Sequence, residues 1–120
     1  MDTDNPVIQL CMAGIRAEFE HRIEEARLLY RQAWEACKDD YDACIAAHYV
    51  ARFQGSFEES LHWDQIALEH ARAVDDERVK DFYPSLYLSL GHSYESVGNQ
   101  SEAQRYYELA AVLGVIHQPD

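Results

Sequence analysis

Residues 90–110, LGHSYESVGNQSEAQRYYELA, contain the pattern that most restricts the fold of this chain. Small and aromatic residues alternate along it, at Gly91, Tyr94, Ala103, Tyr107 and Ala110. Two helices can cross at close range only where side chains are small, and larger neighbours then fill the space beside the crossing. Gly98 and Asn99 mark a turn in the middle of the stretch. The pattern therefore predicts two helices that pack closely as a hairpin.

Helical periodicity continues through the rest of the chain. Apolar residues at three- and four-residue steps predict six helices, at about residues 7–19, 23–37, 41–53, 57–74, 77–97 and 101–113. Pro84 lies inside the fifth segment, where a kink or an interruption is expected because proline lacks a backbone donor and crowds the preceding turn. With only 3 prolines and 5 glycines in 120 residues, the composition also favours an all-α fold.

The six predicted helices form three hairpins that align with one another. Placing Gly14, His48 and Gly91 at one position gives spacings of 34 and 43 residues. Two small positions and one larger position of the second helices then coincide: Ala26, Ser60 and Ala103; Tyr30, Asp64 and Tyr107; and Ala33, Ala67 and Ala110. The chain is therefore predicted to be an array of three helical repeats.

This pattern resembles the tetratricopeptide repeat family. Its repeats carry a bulky residue, leucine, glycine and tyrosine on the first helix, then alanine, an aromatic residue and alanine on the second. The third hairpin matches at Tyr87, Leu90, Gly91, Tyr94, Ala103, Tyr107 and Ala110. The second hairpin departs from the pattern, since Asp64 replaces the aromatic residue and His48 takes the small position. The 43-residue spacing predicts that the fourth and fifth helices are lengthened.

The resemblance implies a right-handed superhelix of three antiparallel helical hairpins in a single domain. The repeats would span residues 7–40, 41–76 and 77–114, followed by a tail at 115–120. The first helices would line a concave groove that binds a partner. Alignment places nine residues in this groove: Ile15, Glu18, Phe19, Tyr49, Arg52, Phe53, Leu88, His92 and Glu95.

The expected groove is apolar and aromatic with an acidic rim. Some relatives clamp a C-terminal carboxylate with lysine and asparagine in these rows, but no lysine stands here, so no such clamp is expected. The surface suits an amphipathic helix or an apolar peptide with basic flanks. The alternative for Ile15 and Ile45 is packing between neighbouring repeats. The predicted function is that of a non-catalytic protein-interaction module.

A second hypothesis is a self-assembling domain that acts through a homodimer. The segment 109–116 is apolar, and no seventh helix follows to cover it. Val112, Leu113 and Ile116 are the expected contacts, unless the tail folds back over them.

Enzymatic and metal sites are not expected. Glu18 with His21, and Glu59 with His62, have the spacing of di-iron ligand pairs, but they fall at different places in the repeat. The sequence lacks the common zinc, phosphate-loop and serine-nucleophile motifs, so no cofactor and no metal is predicted. A third, least favoured hypothesis is a small-molecule or metal site using Tyr49, His92 and Glu95.

Charge and cysteine content limit the environment. The formal net charge of −12 disfavours nucleic acid and anionic membrane surfaces as partners. No apolar stretch is long enough to span a membrane and no secretory leader is recognisable, so a cytoplasmic location is expected. Three cysteines without a framework spacing suggest reduced thiols.

Overall fold

The computed structural model describes residues 3–74 and 76–114, and these ranges contain six α-helices and two short 3₁₀ helices, with no β-strand. The α-helices are α1 (Pro6–Phe19), α2 (Ile23–Glu35), α3 (Asp40–Val50), α4 (Phe57–Ala73), α5 (Tyr83–Ser96) and α6 (Gln100–Val112). The 3₁₀ helices are η1 (Ala51–Phe53) and η2 (Glu77–Phe82). The all-α fold predicted from the sequence is confirmed.

Four of the α-helices begin at a polar residue whose side chain caps them. The capping side chains accept hydrogen bonds from backbone N–H groups of the first turn, at Asn5, Asp39, Ser56 and Asn99. Such caps satisfy donors that have no partner inside the helix. They explain why α1, α3, α4 and α6 start within one residue of the starts predicted from the sequence.

The fifth predicted helix was wrong in its extent. Residues 77–82 form η2, and α5 starts only at Tyr83. Pro84 lies in the first turn of α5, where its missing N–H would have no intrahelical acceptor. The interruption expected at Pro84 is therefore present, while the expected lengthening of this helix is not. The lengthening of the fourth helix is present, since α4 has 17 residues.

Consecutive helices pack as three pairs: α1 with α2, α3 with α4, and α5 with α6. We call these pairs hairpins 1, 2 and 3. Contacts of α2 with α3 and of α4 with α5 join neighbouring hairpins. Five of the six small positions predicted for the second helices are buried, with Ala26, Ala33, Ala67, Ala103 and Ala110 at most 1% exposed, and the sixth, Ser60, is half-buried. Among the described residues, none of the helices combines the length and the apolar character needed to cross a membrane.

Hairpins 1 and 3 share the same internal packing. In hairpin 1, the ring of Tyr30 lies against Gly14 so closely that a methyl group at residue 14 would be 2.3 Å from a ring carbon. In hairpin 3, the ring of Tyr107 lies against Gly91, and the corresponding distance is 2.5 Å. Glycine is therefore required at both positions to admit the tyrosine ring.

The turns of hairpins 1 and 3 also correspond. His21 and Gly98 occupy equivalent positions, and both have left-handed φ angles, 61° and 86°. In each turn the next residue donates a backbone hydrogen bond of 2.9 Å to a carbonyl five residues earlier. This geometry satisfies the last carbonyls of the first helix and turns the chain into the second. The repeat seen in the sequence is thus present in the backbone of these two hairpins.

Candidate functional site

The first part of the candidate site is an open cavity of about 480 Å³ between α1 and α3. We call it the N-terminal cavity. Five of the nine predicted groove residues line it: Ile15, Glu18, Phe19, Tyr49 and Arg52. Phe19 is 82% exposed at the end of α1, although it is a large aromatic residue. The structure therefore brings these five predicted residues together, but not Phe53.

A hydrogen-bond network organises the polar side of the N-terminal cavity. Arg52 donates to both carboxylate oxygens of Glu18, at 2.8 and 2.7 Å, and the hydroxyl of Tyr30 donates to the same carboxylate. Partial burial acts to raise the pKa of Glu18, but the hydrogen bonds from Arg52 and Tyr30 outweigh it and the pKa is lowered. Glu18 is thus an ionised partner that fixes the guanidinium of Arg52 in position.

The second part of the site is an open cavity of about 300 Å³ bounded by α3, η1, α4 and α5. We call it the serine-lined cavity. Arg52 borders both cavities, so they lie side by side. The residues lining it are mostly polar, and they are His48, Ala51, Arg52, Phe57, Ser60, Asp64, Ser89, His92, Ser93 and Ser96.

Asp64 is the buried charged group of the serine-lined cavity. Its residue is 4% exposed, and the hydroxyl of Ser93 donates to its Oδ2 at 2.5 Å. Burial raises the pKa of this carboxyl to about 7, and the hydrogen bond from Ser93 offsets only part of that effect. The carboxyl is therefore poised between its neutral and ionised forms near neutral pH.

His48 also lines this cavity and is uncharged at neutral pH. Burial, with a smaller effect from the charge of Arg52, lowers the pKa of its imidazole to about 4. Its Nδ1 lies 3.4 Å from Oγ of Ser89, and its ring packs edge-on against Tyr49 and Phe82. The imidazole of His48 is thus packed among aromatic rings.

The serine-lined cavity lies where hairpin 2 departs from the repeat. Asp64 occupies the position of Tyr30 and Tyr107, and His48 occupies the position of the two glycines that face those rings. An aspartate side chain is much smaller than a tyrosine ring. The space that a ring fills in hairpins 1 and 3 is therefore partly open in hairpin 2, with a carboxylate at its base.

The residues of hairpin 3 that face hairpin 2 are also more polar than their equivalents in hairpin 2. Tyr30 of hairpin 1 packs with Val50 of hairpin 2 in an apolar cluster. The equivalent pair one repeat later is Asp64 with Ser93, which are joined by a hydrogen bond. Ala46, buried in the core, likewise corresponds to Ser89. The same inter-hairpin contact is thus apolar between hairpins 1 and 2 and polar between hairpins 2 and 3.

The remaining predicted groove residues are dispersed. Phe53 is half-buried in a separate depression with Leu28 of α2 and Val50. Leu88 is half-buried on α5 and lines neither of the two cavities of the site. His92 borders the serine-lined cavity, and the hydroxyl of Tyr107 lies 3.1 Å from its Nδ1 and 3.4 Å from a carboxylate oxygen of Glu95.

The predicted self-association residues lie at the end of α6. Val112 is 83% exposed and Leu113 is 50% exposed. Ile116 lies outside the described residues. The structure thus places two apolar side chains in solvent at this end of the described chain.

The remaining side chains of chemical interest are the possible metal ligands and the cysteine thiols. Within residues 3–74 and 76–114, no group of three histidine, cysteine, aspartate or glutamate side chains is arranged to hold a metal ion. Cys11, Cys37 and Cys44 are free thiols, and burial raises the pKa of each to about 12. These thiols are therefore protonated at neutral pH.

Comparisons with family models, curated proteins and solved structures returned no match for this chain. The candidate site accordingly rests on its own geometry.

Sequence reasoning missed the serine-lined cavity, although two signals were present. Asp64 and His48 were recognised as departures from the repeat pattern, but not as parts of one site. Serines also recur at three- and four-residue steps along the fifth helix, at Ser85, Ser89, Ser93 and Ser96. Such steps place residues on one face of a helix, and three of the four serines line the cavity.

Proposed function

We propose that this chain is a non-catalytic interaction module that binds a peptide or an amphipathic helix of a partner protein. The binding surface is the face formed by α1, α3, η1 and α5, and the three hairpins form a right-handed superhelix of the tetratricopeptide type. The observation that carries the proposal is the pair of open cavities that share Arg52 on this face. A ligand lying across Arg52 contacts both cavities at once.

Phe19 supplies the apolar anchor of this surface. Aromatic side chains, phenylalanine included, are enriched at the buried centres of protein interfaces. Phe19 is 82% exposed and borders the N-terminal cavity. An apolar side chain of the partner can enter this cavity between Phe19 and Tyr49.

The net charge of the chain indicates which residues the partner carries beside its apolar side chain. A net charge of −12 attracts basic partners and accelerates their association. Arg52, the arginine that lines both cavities, is held by Glu18. The partner is therefore an apolar or amphipathic peptide with basic residues.

The proposal is tested by selecting peptides from a display library on the immobilised protein and measuring their affinities by fluorescence anisotropy. Phe19→Ala should weaken binding by about tenfold or more, since about 1.4 kcal/mol of lost contact suffices for that factor. Leu28→Ala is the matched control, because Leu28 is an exposed apolar residue of α2 outside this face. Equal affinity of the wild type and Phe19→Ala for every selected peptide would exclude this surface.

Self-association through the end of α6 is a second candidate, supported by the exposure of Val112 and Leu113. Light scattering over a concentration series should then give a dimer for the wild type and a monomer for Val112→Asp. A wild-type monomer at every concentration would remove this candidate.

A further inference from the structure

We propose that the serine-lined cavity binds the side-chain ammonium group of a lysine in the partner peptide, with Asp64 as the counter-ion. The inference rests on the proposed function and names the side chain that the second cavity accepts. It is carried by the arrangement of Asp64, Ser89, Ser93 and His48 around one open space.

Asp64 lacks a cationic partner among the described residues. Ser93 donates to its Oδ2, and no described residue donates to its Oδ1. The guanidinium that borders the same cavity, that of Arg52, is bound to Glu18. Burying a carboxylate without a paired charge is costly, and a cation that enters the cavity removes that cost. The preference for a cation thus follows from what the fold leaves unpaired.

The neighbours of Asp64 complete the coordination of an ammonium group. An ammonium carries three N–H donors and no acceptor. The hydroxyl oxygens of Ser89 and Ser93 can accept, as can one ring nitrogen of the uncharged His48. A neutral imidazole also adds no charge that would repel the cation. The cavity therefore offers acceptors to each of the three donors.

The same geometry favours lysine over arginine. A guanidinium binds a carboxylate best through two parallel hydrogen bonds, one to each oxygen. Oδ2 of Asp64 already accepts from Ser93, so a guanidinium bound through both oxygens would have to share Oδ2 with that hydroxyl. An ammonium is compact and needs only one carboxylate oxygen. Oδ1 is available for that contact.

The rim of the cavity suits the alkyl stem of a lysine. Phe57 lines the cavity and is largely exposed, and Ala51 contributes another apolar surface. Lysine commonly lays its methylene groups along apolar side chains while its charge reaches a polar partner. A lysine that enters past Phe57 can therefore place its stem against the ring.

Binding of the ammonium requires the ionised form of Asp64, so affinity should rise with pH. With a pKa of about 7, the ionised fraction increases about 25-fold between pH 5.5 and 7.5. The other titratable groups that face the cavity are His48 on α3, Arg52 on η1 and His92 on α5. Arg52 stays charged, and His48 stays neutral above a pKa of about 4. The variant His92→Gln removes the third of these groups, so any pH dependence of affinity that remains in this variant does not come from His92.

The test uses a peptide selected as described above and the same peptide with its lysine replaced by norleucine, which keeps the stem and removes the charge. The wild type should bind the norleucine peptide at least tenfold more weakly. Asp64→Asn should bind both peptides equally, without the dependence on pH, whereas His92→Gln should retain it. Glu69→Gln is the matched control, because it removes one negative charge from an exposed residue of the same helix.

Two results would overturn the inference: equal affinity of the wild type for both peptides, or equal effects of Asp64→Asn and Glu69→Gln on the lysine peptide. In either case the proposed function would stand, because the peptide still binds. If no peptide is selected, the proposed function fails, and the lysine assignment fails with it. Chemical-shift changes at Ser93 on addition of n-butylammonium, absent in Asp64→Asn, would then show that the cavity binds a small amine instead.

Discussion

Replacing Asp64 with asparagine should stabilise the folded protein by an amount that grows with pH. Asparagine keeps the shape of the side chain, and its carbonyl oxygen can still accept from Ser93, but it carries no charge. In the wild type, burial raises the pKa of Asp64 from 3.8 to about 7. The folded state therefore binds a proton that the unfolded state has released between these two values. Stability is lost as the pH rises through this range, and the penalty is constant above it.

The size of the effect follows from the shift. One pKa unit corresponds to about 1.4 kcal/mol, so ionised Asp64 costs about 4 kcal/mol above pH 7. At pH 5 only about 1.7 kcal/mol of that cost is present, because the folded carboxyl is still protonated there. The advantage of Asp64→Asn should thus grow by about 2.5 kcal/mol between pH 5 and pH 8.

Urea unfolding of both proteins at pH 5, 6, 7 and 8 measures this difference. Comparing the two at each pH cancels the contribution of His48, which has the opposite sign: its pKa is lowered from 6.5 to about 4, so it gains stability as the pH rises between these values. Glu69→Gln serves again as the control, because it removes one negative charge from an exposed residue of the same helix as Asp64. A difference between wild type and Asp64→Asn that is independent of pH would refute the argument.

Three further sets of substitutions test how the hairpins are built, each by urea unfolding. Asp64→Tyr alone should destabilise the fold, because its ring would meet His48. Adding His48→Gly should recover more than about 1 kcal/mol, because the two substitutions are coupled. Additive effects of the two substitutions would contradict this. Gly14→Ala should cost about 1–3 kcal/mol, since the methyl group would lie 2.3 Å from a buried ring. Gly91→Ala should cost less, because the ring there is half-buried and can move, and the reverse order would contradict the packing argument. His21→Gly should stabilise the fold by about 1 kcal/mol by relieving a left-handed backbone, and a loss of stability would show that the histidine side chain has another role.

Several local features could be predicted from the sequence because short-range chemistry controls them. Asn5, Asp39, Ser56 and Asn99 cap helices through hydrogen bonds to residues two or three positions away. Pro84 excludes a continuous helix for reasons internal to its own backbone. The pairing of glycine with tyrosine in hairpins 1 and 3 also predicted close packing within each hairpin. An aromatic ring can lie directly against a helix backbone only where no side chain intervenes, as at glycine.

Helical periodicity alone was not sufficient to predict the position of Phe53. The sequence placed it with Tyr49 on a continuing α-helix. After Val50 the chain turns as a 3₁₀ helix, which rotates about 120° per residue instead of about 100°. Over three residues that difference amounts to about 60°. Phe53 consequently packs towards Leu28 and Val50 in the separate depression.

The sequence by itself determined the six α-helices, their order and their pairing into hairpins, except for residues 51–53 and 77–82, which form 3₁₀ helices. These features depend on interactions between near neighbours. Only the tertiary structure decided that Asp64 is buried beside Ser93, a residue 29 positions further along the chain. Both the volume of the serine-lined cavity and the raised pKa of its carboxyl depend on how closely hairpins 2 and 3 approach. Desolvation depends on the atoms that surround a group in space, and in this cavity those atoms come from helices that are far apart in the sequence.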